Sequence, residues 1–222
     1  MLEAQGIRKE FLRQGRGTNR FIAVQETDLT LSAGLTVLTG RSGSGKTTLL
    51  NMLSGLLLPT AGRILLDGTD LYAMEDAALS RLRCEKIGVI PQGQTALHSL
   101  SVLENVLLPV QLLDKKADRT QEALALLEHL GIAALQSDRP AALSGGELRR
   151  VAVARSVINH PALLLADEPT GDLDDENTAA VFRFLREYAD QGAAVLVVTH
   201  ETDAAQYADR VLRMDAGRLT EV

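Results

Sequence analysis

Cysteine, long apolar runs and excess positive charge are all scarce in this sequence of 222 residues. The single cysteine, Cys84, cannot form an intrachain disulfide, so a reducing compartment is expected. The most apolar stretches, 56–59 and 193–198, fall far short of the ~18 residues that a membrane-spanning helix needs. The first residues show no basic start followed by an apolar run, so no signal peptide is expected. These absences predict a soluble chain that reaches a membrane only through a partner.

Acidic residues outnumber basic ones, 29 Asp and Glu against 23 Lys and Arg, which gives a formal net charge of -6. This balance argues against a broad basic surface for nucleic acid, so no nucleic-acid partner is expected, although a local basic patch stays open. The sequence shows no internal repeat, no low-complexity linker and no His, Cys, Asp and Glu cluster with transition-metal spacing. A single domain spanning residues 1–222 is predicted.

Residues 40–47 (G-R-S-G-S-G-K-T) form a phosphate-binding motif. An apolar run at 35–39 precedes the motif, and a helix predicted over 47–58 follows it and stops before Pro59. Glycines let successive backbone amides point inward, and a lysine and a hydroxyl then meet the phosphates and a magnesium ion. The predicted nucleotide-binding residues are Gly40, Ser42, Gly43, Ser44, Gly45, Lys46, Thr47 and Thr48. The alternative, a surface turn rich in Gly and Ser, does not require the flanking strand and helix.

Three further strand ends carry polar residues suited to phosphate chemistry. Residues 162–168 read as a buried strand that ends in Asp167 and Glu168. A glutamate can orient water or accept a proton only when its position is fixed, and a strand end fixes it. Gln92 follows a strand predicted at 86–90, and His200 follows one at 195–199. Read singly, each of these four residues is also compatible with an ordinary surface or structural role.

Residues 143–147 (L-S-G-G-E) combine two signals at the start of one helix. Ser144 followed three residues later by Glu147 is a capping box. The Ser144 hydroxyl and the amides of Gly145 and Gly146 also form a corner that can bind a γ-phosphate. Both interpretations hold together.

The motifs at 40–47, 92, 143–147, 163–168 and 199–200 together resemble the nucleotide-binding domain of an ATP-binding-cassette (ABC) protein, over essentially the whole chain. The resemblance implies an α/β fold of the P-loop NTPase type, with a RecA-like, mostly parallel sheet. It further implies an N-terminal antiparallel β-subdomain and an inserted α-helical subdomain. The core and β-subdomain would take residues 1–92 and 151–222, and the helical subdomain residues 93–150.

The resemblance also implies a role for each motif residue. Asp167 would bind Mg²⁺ together with Thr47 and Gln92. Glu168 would polarise the attacking water, and His200 would contact the γ-phosphate. In a head-to-tail dimer, the binding corner formed by Ser144, Gly145 and Gly146 would meet the ATP held by a second copy.

Phe11 aligns with the aromatic residue that stacks on adenine in the family. A core phenylalanine in the first strand is the alternative for Phe11, and the stretch 13–20 behind it looks like an insertion.

Residues 103–109 (L-E-N-V-L-L-P) and 166–171 (A-D-E-P-T-G) are similar to one bacterial subgroup. That subgroup holds the ATPases of macrolide-exporter, lipoprotein-releasing, cell-division, bacitracin-resistance and haem-exporter systems. The resemblance implies an ATPase on the cytoplasmic face of the membrane, with a permease subunit that docks near residues 93–115. Export and mechanotransmission both stay open, and the cargo is not encoded in this chain.

This sequence departs from the family's usual residues at Asp172, Pro91 and Glu147. Two alternative functions remain beside the transporter subunit. A soluble ABC ATPase of DNA repair or translation would usually carry a coiled-coil insertion, a zinc site or a second cassette. In a P-loop kinase, residues 144–146 would have no role.

Overall fold

The computed structural model describes residues 1–13, 19–171 and 173–222. The departure at Asp172 and most of the insertion-like stretch 13–20 therefore lie outside the described residues. Strands occupy β1 (Leu2–Arg13), β2 (Asn19–Leu31), β3 (Gly34–Thr39), β4 (Ala61–Leu66), β5 (Thr69–Asp70), β6 (Ile87–Ile90), β7 (Leu163–Asp167), β8 (Ala194–Val198), β9 (Arg210–Asp215) and β10 (Arg218–Glu221).

The α-helices are α1 (Lys46–Leu53), α2 (Asp76–Lys86), α3 (Val102–Leu113), α4 (Thr120–His129), α5 (Gly145–Val157) and α6 (Asp175–Asp190). Short 3₁₀ turns lie at Leu71–Ala73, Ala133–Leu135, Pro140–Ala142 and Thr202–Tyr207. Within the described parts of the chain, none of the helices has both the length and the apolar character needed to cross a membrane.

Two sheets organise the strands. One has the order β2-β1-β4-β5 and is antiparallel, and the other has the order β10-β9-β3-β8-β7-β6. In the second sheet β9, β3, β8, β7 and β6 run parallel, while β10 closes an antiparallel hairpin with β9. The predicted α/β class, with a mostly parallel sheet and a separate antiparallel β-sheet, is confirmed.

The parallel sheet is buried on both faces, as its continuous apolar runs predict. On β7, Leu164 and Ala166 join one core with helices α3 to α6, while Leu163 and Leu165 join a second core. This second core packs α1 and the antiparallel sheet against the opposite face. Alternation along each strand therefore connects the two layers through a single sheet.

The helix after the phosphate loop is shorter than predicted. It ends at Leu53 because Gly55 adopts a left-handed conformation with φ 74. Beyond it, the Tyr72 hydroxyl lies 2.8 Å from the carbonyl oxygen of Met52 and 2.6 Å from that of Leu57. A side chain distant in sequence therefore holds the turn that follows the helix. The helix itself ends well before Pro59.

The segment read as several short strands over 21–35 is mainly one long strand, β2, paired with β1 along its length. Register shifts in this pair let the ribbon bend without ending. The predicted hairpin at the C-terminal end forms as β9 and β10.

Candidate active site

The phosphate loop connects β3 to α1, and two of its glycines are fixed by close backbone neighbours. A Cβ atom on Gly40 would lie 2.3 Å from the carbonyl oxygen of Met214, and one on Gly45 would lie 2.2 Å from that of Ala23. Gly45 also has φ 108, which L-residues rarely adopt. Substituting either glycine would push the loop away from β2 and β9. Glycine is needed here for space as well as for backbone conformation.

Lys46 folds back over its own loop. Its ammonium group donates to the carbonyl oxygens of Gly40 and Arg41, at 2.7 and 3.1 Å. The side chain is nearly buried, so the charge is concentrated at the start of α1, where the helix dipole is also positive. A polyphosphate in this loop would meet a fixed cation and inward-facing amides.

Asp167 ends β7 and faces the same loop. Burial raises the pKa of its carboxyl group, while the Thr47 hydroxyl that donates to it, and the charges of Lys46 and Arg149, act in the opposite direction. Asp167 and Thr47 thus place two oxygen ligands next to each other beside the phosphate loop. Oxygen ligands of this kind suit Mg²⁺.

Glu168 follows directly and is held from two sides. Its backbone N–H donates to Val198 of β8 at 2.8 Å, and its Oε2 lies 3.0 Å from Nδ1 of His200. Glu168 has φ 50, an uncommon value for a residue other than glycine, at a cost of about 1–3 kcal/mol. This strained backbone turns the carboxylate towards the cavity and the histidine.

A cavity of about 800 Å³ brings these groups together. Gln92, after β6, and His200, after β8, line the cavity with Asp167 and Glu168. All four follow parallel strands, and the carboxyl ends of parallel strands meet at one edge of a sheet. The predicted residues that line this cavity are Ser42, Gly43, Gly45, Lys46, Thr47, Thr48, Gln92, Asp167, Glu168 and His200.

The aromatic residue at the cavity is Phe21, which the sequence analysis did not select. Phe11, the predicted adenine-stacking residue, is paired directly opposite Phe21 in the β1–β2 register, and both are partly exposed. Of the two, Phe21 lines the cavity, together with Ala23. Lys9 lies over the Phe11 ring, 5.2 Å from its centroid. Because side chains directly opposite in an antiparallel pair share a face, both aromatic rings lie on the same face of the β1–β2 ribbon.

The binding corner formed by Ser144, Gly145 and Gly146 lies at the N-terminus of α5. None of its three residues lines this cavity in the described part of the chain. The predicted capping box is present. The Ser144 N–H donates to Oε2 of Glu147 at 2.7 Å, and the Glu147 N–H donates to the Ser144 hydroxyl at 3.3 Å. Gly40 and Ser44, which were also predicted to bind the nucleotide, do not line the cavity either.

Parallel strands that deliver a phosphate loop and an oriented glutamate to one edge are the organisation of a P-loop nucleoside triphosphatase, and this chain is one. The family described as "ABC transporter" matches residues 24–171, more than half of the chain. The protein belongs to this family and is an ATPase, the ATP-binding subunit of an ABC transporter. The sequence prediction of this activity is confirmed.

Curated relatives match over the full length of the chain. The lipoprotein-releasing system ATP-binding protein LolD of Shewanella sp. (strain MR-7) is 42% identical over 227 residues, covering 100% of this chain and 96% of the relative. LolD of Xanthomonas oryzae pv. oryzae (strain MAFF 311018) is 38% identical over 225 residues, covering 100% of this chain and 91% of the relative.

Solved structures agree in fold. The ATP-binding cassette MJ0796, in a dimeric post-hydrolysis state bound to ADP and Pi, has a TM-score of 0.92 and 29% identity, and the match covers 100% of this chain and 98% of that one. A nucleotide-free ATP-binding cassette from an ABC transporter has a TM-score of 0.81 and 25% identity, with 100% and 90% covered.

Replacing Lys46 with alanine should weaken ATP binding roughly 10- to 100-fold, because a charge-assisted hydrogen bond contributes about 1.5–3 kcal/mol. Titration with a fluorescent ATP analogue measures the dissociation constant. Lys86→Ala is the control, because this exposed lysine pairs with Asp67 away from the cavity. Unchanged affinity in Lys46→Ala would remove Lys46 from the phosphate site.

Proposed function

We propose that this ATPase pairs head-to-tail with a second copy around two ATP molecules and drives an integral-membrane permease from the cytoplasmic face. The placement of the signature supports this pairing. The binding corner at the start of α5 does not line the chain's own nucleotide cavity, so a second molecule is the source of the phosphate it would bind. The dimeric MJ0796 cassette shares the fold at a TM-score of 0.92.

Magnesium fits the residues present. The Thr47 hydroxyl donates to the Asp167 carboxylate, so both oxygens already lie together beside the phosphate loop, and Gln92 lines the same cavity. Thr47, Asp167 and Gln92 would hold the ion. When bound, Mg²⁺ supplies charge neutralisation on the β- and γ-phosphate oxygens.

The side chains of this chain then divide the work of hydrolysis. Lys46 and the loop amides bind the β- and γ-phosphates, and the Phe11 and Phe21 rings offer a surface for adenine. Glu168 orients a water molecule and takes its proton as the water oxygen bonds to the γ-phosphorus and the bond to ADP breaks. His200, 3.0 Å from Glu168, fixes that carboxylate and reaches the γ-phosphate.

A groove beside α2 and α3 is the proposed docking site for the permease. It has a volume of about 350 Å³ and lies between the end of α1, α2 and α3, with Leu56, Cys84, Pro109 and Leu112 in its wall. Leu56 and Leu112 are 58% and 72% exposed, so the groove offers open apolar surface to a partner. The groove uses the end of the segment 93–115 and adds residues of α2, of α5 and of the turn after α1.

One buried side chain, that of Asn105, holds the segment leading into α3. Asn105 is completely buried, and its amide N–H groups donate to the carbonyl oxygens of Leu97, Leu100 and Ser101. Its Oδ1 accepts from the Leu97 N–H at 2.8 Å. One side chain thus satisfies the turn from 97 to 101.

The cargo we propose is a lipoprotein, because the LolD relatives that match this chain from end to end are named for a lipoprotein-releasing system. The same relatives favour transport over the alternative of DNA repair or translation. Contacts with the cargo would lie in the permease and not in this chain.

The docking proposal is tested with Leu112→Asp, purified from detergent-solubilised membranes of the source cells. We expect a multi-spanning membrane protein to co-purify with the unmodified chain and to be lost from Leu112→Asp, because a charge disfavours apolar docking. Leu58→Asp is the matched control, since Leu58 is 59% exposed but lies outside the groove wall. Equal recovery with both variants would exclude the groove, and recovery with neither the variants nor the unmodified chain would exclude a permease partner.

A further inference from the structure

Arg149 is a buried charge that the roles above do not use. It lies on α5, and only 7% of the residue is exposed. Burying a guanidinium costs several kcal/mol unless its N–H groups are paired. Its Nη1 donates to the carbonyl oxygen of Pro91 at 2.8 Å and reaches that of Gly93 at 3.4 Å. These two carbonyls flank Gln92 on both sides, so the position of Gln92 depends on Arg149.

The other arm of the guanidinium reaches the turn after β7. A Cβ atom on Gly171 would lie 3.7 Å from Nη2 of Arg149, so this arm packs against the segment that follows Glu168. One planar side chain therefore touches both the loop of Gln92 and the turn beyond the catalytic strand. The fixed fork of an arginine suits such a bridge, which a lysine cannot reproduce in full.

A second arginine on the same helix extends the contact. Arg155 donates to the carbonyl oxygen of Thr95 at 2.9 Å and also to the Thr95 hydroxyl. The carbonyls at 91, 93 and 95 thus all accept from α5. Because α5 begins with the Ser144 corner, the loop of Gln92 and that corner are held to one rigid helix.

We propose that Arg149 is a positioning residue for ATP hydrolysis, which sets Gln92 at the nucleotide through the carbonyls on either side of it and links Gln92 to α5. The proposal rests on the role proposed above for Gln92. Arg149 itself does not line the nucleotide cavity. Its charge also acts on Asp167, and Arg149→Lys keeps that charge, so the positioning role is the part that passes through the loop of Gln92.

The test compares Arg149→Gln and Arg149→Lys in the purified full-length chain. Arg149→Gln should lower kcat about 10- to 100-fold, because misplacing a catalytic group by about 1 Å costs on the order of 10²-fold. The dissociation constant for a non-hydrolysable ATP analogue should change less than about threefold, since the phosphate loop keeps its contacts. The kcat of Arg149→Lys should lie between those of Arg149→Gln and the unmodified protein, because one N–H donor still reaches a carbonyl. Arg81→Gln, an exposed arginine paired with Glu85 on α2, is the control for losing a charge.

A double-mutant cycle with Gln92→Ala separates positioning from general weakening of the fold. In the Gln92→Ala background, Arg149→Gln should cost less than about twofold in kcat. An undiminished cost there would overturn the proposal while leaving the role of Gln92 intact. Unchanged kcat in Gln92→Ala alone would overturn the role of Gln92 and this proposal together. Circular dichroism and analogue binding report folding, and Arg149→Lys runs the same cycle if the glutamine variant is unfolded.

Discussion

Glu168→Gln should bind ATP and form a dimer that persists while ATP is bound. Its kcat should be lowered by about 10²- to 10⁴-fold, the usual contribution of a general base. The amide is nearly isosteric with the carboxylate and can still hydrogen-bond His200, so the fold should be unchanged. It cannot accept the proton of the attacking water, so ATP stays intact between the two copies. Size-exclusion chromatography with ATP and magnesium should show elution at twice the monomer mass, and without nucleotide a monomer.

Glu187→Gln is the control for this experiment. Glu187 is an exposed glutamate on α6 that pairs with His129, and its neutralisation should leave turnover and elution unchanged. A Glu168→Gln protein that hydrolyses ATP at the normal rate would remove Glu168 from the chemistry. A slow variant that elutes as a monomer with ATP would contradict the composite site instead.

The sequence predicts the catalytic edge well because each motif there is local. The phosphate loop, Gln92, Asp167 with Glu168, and His200 each follow a short apolar run, and each run becomes a parallel strand. Once the strands are parallel, their carboxyl ends must meet. The positions of the motifs in the sequence therefore predict that Gln92, Asp167, Glu168 and His200 share one cavity with the phosphate loop.

Contacts between distant segments could not be predicted in the same way. Phe21 lines the cavity because of the β1–β2 register, which includes shifts that no alternation pattern reveals. The early end of α1 depends on Gly55, and the turn beyond it depends on Tyr72, which lies fifteen residues after its partner Leu57. Gly55 was a readable signal, since a glycine shortly before a proline favours a helix stop. No local sequence signal indicates that the hydroxyl of Tyr72 would hold this turn.

The burial of Arg149 could not be predicted from the sequence either. The sequence shows three arginines on α5 but not which of them is buried, and in the structure Arg149 is buried against the loop of Gln92. Arg150 instead donates to Asn177 of α6 at 2.9 Å. Adjacent arginines on one helix thus point to different partners, and only the packing of α5 against α3, α4 and β6 decides which of them is buried.

Ser144→Arg should abolish both ATP-dependent pairing and most of the turnover. In the paired state the serine corner would cap the γ-phosphate of the second copy, and a long charged side chain would hold the two molecules apart. Loss of a preorganised donor at developing charge costs about 10²- to 10³-fold in rate, and loss of the pair itself adds to this. Binding of ATP to the single chain should stay within about threefold, because Ser144 does not line that cavity. Sizing in the Glu168→Gln background and steady-state hydrolysis measure the two effects.

The chain offers a matched control in Ser101→Arg. Ser101 caps α3 through the same arrangement that Ser144 uses on α5, with Glu104 in the place of Glu147. Both substitutions remove an N-cap and cost about 1 kcal/mol of stability, so any difference between them isolates the phosphate corner. Ser101→Arg should pair and hydrolyse ATP as the unmodified protein does. If both variants behave alike, whether active or inactive, the serine at 144 serves only its helix, and the γ-phosphate is not shared between two copies.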